Sequence, residues 1–80
     1  MKRCHLTAVI WKEGSKYVSK CPELGVASYG ANPDKAKTAL EEAVELYLTN
    51  AKKLGLWEDL RSTLTSDIRY TAPFEIALAL

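Results

Sequence analysis

The run "ANPDKAKTALEEAVELYLTNAKKLG", residues 31–55, limits the fold more than any other stretch of this 80-residue chain. Asn32 is a strong N-cap, Pro33 fits the first helical position, and Asp34 complements the helix dipole. Gly55 suits the position just past a helix end, with Lys52 and Lys53 in the last turn. At ~100° per residue, Ala36, Leu40, Ala43, Val44, Tyr47, Ala51 and Leu54 fall on one stripe. Glu42, Glu45, Thr49 and Lys53 fall opposite. A helix with one apolar stripe must bury it against another layer, and a chain this short has room for one small core.

The flanking sequence supplies that layer as strands. "CHLTAVIWK", residues 4–12, alternates: Leu6, Ala8 and Ile10 point one way, Thr7, Val9 and Trp11 the other. A short turn at 13–15 leads to "KYVSKC", residues 16–21, and the two strands form a hairpin. Pro22 lacks an N–H and ends the second strand. Val26 to Tyr29 reads as a third strand. After Gly55, Leu56, Trp57, Leu60 and Leu64 recur at helical spacing and predict a short second helix. Ile68 to Leu80 returns to strand character, interrupted by Pro73. There Phe74, Ile76, Leu78 and Leu80 alternate with Glu75, Ala77 and Ala79. The predicted order is β-β-β-α-(α)-β: an α+β fold with a small antiparallel sheet packed on one main helix, as a single domain over residues 1–80.

Composition narrows the function classes. At 48% apolar and 26% charged residues the chain is globular. A net charge of +1 provides no broad basic field for nucleic acid. The start, "MKRCHLTAVIWKEG", lacks the unbroken apolar run of a signal peptide. No run approaches the ~18 apolar residues of a membrane helix, so a soluble, cytoplasmic protein is expected. Cys4 and Cys21 are too few for a disulfide scaffold, and His5 is the sole histidine, so no complete metal-ligand set is present. Gly25 and Gly30 match no phosphate-loop spacing, and no cofactor is expected.

The stretch "SKCPELGVASYG", residues 19–30, has the look of a reactive loop. For Cys21 to act as a nucleophile it needs a base within hydrogen-bond reach, and only His5 is available. With 13–15 as the hairpin loop, Cys21 faces Thr7 and lies diagonal to His5, ~7–8 Å away. No acidic residue on these strands orients the histidine, and no catalytic residue is assigned. A Cys4–Cys21 disulfide would have to span ~10 Å in the same register, against the ~7 Å between Cα atoms that a bridge allows. Cys21 is therefore read as a half-buried thiol at a strand end. The sheet aromatics Trp11 and Tyr17 suit stacking on RNA bases, or simple packing across the hairpin.

Taken in order, these pieces resemble the HicB-like antitoxin domain family. Cys21-Pro22-Glu23-Leu24 and Gly25-Val26 resemble the elbow between the family's second and third strands. Gly30 ends the short third strand, Asn32 caps the helix, and Glu41-Glu42-Ala43 matches the helix's "EEA" run. Leu6 to Ile10 is similar to the first strand and Tyr17-Val18 to the second. The likeness covers roughly Leu6 to Leu48. It departs from the family at Gly25, which lacks the usual preceding proline, and at Asn32, where threonine is commoner.

The resemblance implies a small sheet with one helix, related to a truncated RNase H-like core, in which the proline-acid-leucine-glycine segment is structural. RNase H chemistry needs clustered carboxylates for two metals, and residues 4–12 contain none. The resemblance further implies a non-enzymatic module that binds and neutralises a HicA-like mRNA interferase. Many family members add a DNA-binding domain; this sequence shows no basic recognition helix, so no direct DNA binding is expected. The alternatives are a small ligand-binding or enzymatic domain using Cys21 and His5, or a self-associating domain. A homo-oligomer, dimer or dimer of dimers, is expected because the core is small and "FEIALAL" would be a hazardous exposed strand. Trp11, Tyr17, Leu46, Phe74, Ile76 and Leu78 are the candidate interface residues.

Overall fold

The computed structural model describes residues 3–79. It shows an α+β fold with the elements β1 (Val9–Glu13), β2 (Lys16–Cys21), β3 (Val26–Gly30), α1 (Pro33–Lys53) and α2 (Trp57–Thr65). The three strands form one antiparallel sheet in the order β1-β2-β3, and α1 lies on one face, chiefly against β3 and β2.

The ends of α1 follow from the local chemistry. The Asn32 side chain accepts a hydrogen bond from the Lys35 N–H at 2.8 Å. At the other end the Gly55 N–H donates to the Lys52 carbonyl and the Leu56 N–H to the Ala51 carbonyl, the paired bonds of a Schellman motif. Close approach fixes the helix start against the sheet. A Cβ on Gly30 would stand 2.5 Å from the Ala36 nitrogen and 2.7 Å from the Lys35 carbonyl carbon, so only glycine fits where β3 meets the first turn.

The hairpin differs from the sequence expectation by one residue. Its loop is Gly14-Ser15 alone, with Glu13 opposite Lys16 and Val9 opposite Lys20. Gly14 has φ of 61°, at the position where a type II′ turn takes glycine. Shifting the register by one changes every cross-strand neighbour. Extended one step, it places Cys21 beside Ala8 instead of Thr7. Trp11 faces Val18, and Tyr17 faces Lys12. Trp11 and Tyr17 therefore lie on opposite faces, which excludes their packing together across the hairpin.

The first strand begins at Val9, not Cys4. Residues before it have other hydrogen-bond partners: the His5 N–H donates to the Leu64 carbonyl and the Thr7 N–H to the Glu23 carboxylate. In the observed register Thr7 would face Pro22, which has no N–H to offer, so the ladder stops there.

The predicted C-terminal strand is not formed: residues 66–79 carry neither strand nor helix, and Leu80 lies outside the described residues. Phe74 is 87% exposed, Ile76 68% and Leu78 73%. Alternation marks a segment able to pair, but a strand also needs a ladder partner, and the sheet ends at β1 and β3.

The core is small. Cys21, Leu40 and Val44 form its centre, with Leu6, Leu24, Val26 and Leu48 around them. The predicted helix stripe is only partly used: Ala36, Leu40, Val44 and Ala51 are buried, but Tyr47 is exposed and Leu54 is 73% exposed. A 21-residue helix is ~31 Å long, whereas strands of five or six residues span ~17–20 Å. The helix overruns the sheet, so its later apolar residues lose their floor, while Leu48 turns in toward the N-terminal segment.

Candidate functional site

Residues 21–25 form a tight elbow between β2 and β3, closed by hydrogen bonds from the Leu24 and Gly25 N–H groups to the Cys21 carbonyl. The elbow presents Glu23 to the segment before β1. Its carboxylate accepts from the Thr7 N–H at 3.0 Å, from the Thr7 hydroxyl at 2.6 Å and from the Cys21 thiol at 3.3 Å. Arg69 Nε lies 3.3 Å from the same group. The Arg69 guanidinium also donates to the carbonyls of His5 and Thr63. One carboxylate thus ties together the elbow, the N-terminal segment and the chain that leaves α2.

The electrostatics follow from this geometry. Burial alone would raise the Glu23 pKa, but the two Thr7 hydrogen bonds, its own backbone N–H and the Cys21 thiol outweigh it and hold the group down to about 2. Cys21 moves the opposite way: burial first, then the hydrogen bond and charge of Glu23, push its thiol up. A thiol that is 1% exposed and donating to a carboxylate is held protonated, the reverse of what nucleophilic attack requires. His5 enters the cluster through its backbone N–H and carbonyl. Cys4 and Cys21 are both free thiols.

A groove of about 480 Å³ opens beside this cluster, between residues 4–8 and α1. Its floor is apolar, formed by Leu6, Cys21, Leu40, Val44 and Leu48, and Lys37, Glu41, Glu45 and Thr49 line it along the helix. Among the described residues no three His, Cys, Asp or Glu side chains gather as metal ligands. Glu13, the one carboxylate on β1, accepts from the Trp11 indole N–H at 3.0 Å.

The sequence-predicted interface residues fall on separate surfaces. Trp11 is exposed on the sheet face away from α1, in a row with Val18 and Tyr29 across the three strands. Lys16 flanks the row, its ammonium 4.9 Å from the Tyr29 ring centre. Tyr17 is half-buried on the helix-facing side. Leu46 is exposed on α1 outside the groove lining. Phe74, Ile76 and Leu78 stand together on the C-terminal arm.

Sequence reasoning missed Glu23, Thr7 and Arg69 as a cluster. Their spacing of 16 and 46 residues leaves no local signal. It also missed Ser19, fully buried with its hydroxyl donating to the Ala36 carbonyl at 2.8 Å. A signal existed there: Ser19 alternates with Cys21 on the inward face, and a polar residue at an inward position implies a buried partner.

Among the described residues no helix is long and apolar enough to cross a membrane. No family model, no curated protein and no solved structure matches the chain.

Proposed function

We propose that the chain is a non-enzymatic protein-binding module of the HicB antitoxin type, which covers and thereby neutralises a HicA-like mRNA interferase. The observation that carries this reading is the set of large apolar side chains left uncovered in sequence on the arm, Phe74, Ile76 and Leu78. Exposed apolar surface of that extent marks a place where another protein sits. The β-β-β-α order, the elbow at Cys21–Gly25 and the capped start of α1 are compatible with the family resemblance. The protonated, buried Cys21 fits a structural elbow better than a nucleophile. In the same reading the chain self-associates, as a dimer or a dimer of dimers, and acts in the cytoplasm.

Co-expression with a HicA-like toxin tests the proposal. Expected are rescue of growth and a stable complex on size exclusion, both weakened by the pair Ile76→Lys and Leu78→Lys. Absence of both rescue and complex overturns the toxin reading. Turnover of RNA, DNA or ester substrates that disappears in Cys21→Ala or His5→Ala overturns the non-enzymatic one.

A further inference from the structure

We infer that the C-terminal arm of one copy lies in the apolar groove of a second copy, and that the exchange is reciprocal. The inference deepens the self-association reading above and rests on it; an arm seated in a second copy is not free for a toxin, so the two associations compete. Among the described residues Arg69 makes the last side-chain bonds between the C-terminal segment and the domain, to Glu23, His5 and Thr63. Beyond it the chain departs: the radius of gyration is 14.7 Å and the long axis 45 Å, against a radius of about 12 Å for a compact domain of this length. Pro73 disfavours helical backbone at residue 72, where the arm begins.

The arm and the groove complement each other. Phe74, Ile76 and Leu78 share one side of an extended segment, with Glu75, Ala77 and Ala79 on the other. The groove runs along α1 from Lys37 to Thr49, a rise of about 18 Å. Phe74 to Ala79 in extended backbone spans about 17 Å. Beneath the groove lies the core cluster, Cys21, Leu40 and Val44 with the half-buried Leu6 and Leu48, so an arm seated there packs against the edge of the core. The rim carries Lys37 together with Glu41 and Glu45, so Glu75 of the arriving arm has one charge partner, Lys37, and pairing with it places Phe74 at that end of the groove. A chain that carries both halves of one contact, held apart in a single copy, closes with a second copy about a two-fold axis, where the same contact is made twice.

Paired cysteines test the exchange. Glu41→Cys and Ile76→Cys, neighbours when Glu75 meets Lys37, are placed in separate chains, each also carrying Cys4→Ser; both positions are exposed, so folding is spared, and circular dichroism checks the helix content. Mixed and mildly oxidised, the two chains are expected to form a covalent pair of twice the 8.9 kDa chain mass, and neither alone does so through these positions. A chain carrying both cysteines gives covalent oligomers by exchange. If it gives an intrachain link at single-copy mass, the arm occupies its own groove and the inference fails. If wild-type protein is dimeric by light scattering yet no cross-link forms, the exchange fails while self-association stands. A wild-type monomer overturns both.

Discussion

Arg69 Nε stands 3.3 Å from Glu23 Oε2, with the Glu23 side chain 7% exposed, and this ion pair joins the β2–β3 elbow to the start of the C-terminal arm. Glu23 releases its proton more readily in the folded chain than in the unfolded one, where a carboxyl sits near 4.5. Protonation therefore favours unfolding. The stabilisation is whole above about pH 4.5 and is lost as pH falls toward about 2. Its size is on the order of 3 kcal/mol. Urea denaturation between pH 7 and pH 2 is expected to show a steep acid loss in wild type and a shallower one in Glu23→Gln. Equal acid slopes in the two proteins would remove Glu23 from this role.

Gly30→Ala is expected to destabilise the fold by about 1–3 kcal/mol, the range for forced overpacking. The added methyl meets backbone atoms of Lys35 and Ala36, which cannot swing aside as a flexible side chain can. Thermal melts compare it with Gly14→Ala, where open space surrounds the site and the cost comes from the positive φ alone. A Gly30→Ala protein as stable as wild type would mean that α1 starts farther from β3.

Asn32→Ala is expected to cost about 0.5–2 kcal/mol, because it leaves the Lys35 N–H without its acceptor. Asn32→Ser supplies another oxygen and should recover most of that loss. The denaturation midpoints of the three proteins give the answer, and a silent Asn32→Ala would place the helix start elsewhere.

The helix was legible in the sequence because each of its signals is local. Asn32, Pro33 and Gly55 act within one turn of themselves, and the structure has α1 at Pro33–Lys53. The hairpin was legible as a motif but not in register, since Glu13 can belong to the loop or to the strand and composition does not choose. A difference of one residue separated Trp11 from Tyr17 and moved Cys21 from Thr7 to Ala8. The Glu23 cluster was not legible at all. It depends on where Arg69 arrives after two helices, which no periodicity encodes. Residues 68–79 show the converse, a strand pattern that pairs with nothing among the described residues.

Cys21 and Cys4 should differ sharply in reactivity. Cys21 is buried, donates to Glu23, and has its thiol pushed up, while Cys4 is half-buried at the groove edge. Only the thiolate attacks a thiol reagent, so both access and protonation protect Cys21. With a charged disulfide reagent at pH 8, one thiol of the native protein should react quickly. The second should follow only at the rate of unfolding, and in urea both should react together. The Cys4→Ser variant isolates Cys21, and its native-state labelling is expected to be slow throughout. Glu23→Gln removes the negative charge beside the sulfur and weakens the tie to Thr7 and Arg69, and both changes should speed that labelling. Rapid reaction of Cys21 in native Cys4→Ser protein would show an accessible thiolate, and would return Cys21 to consideration as a nucleophile.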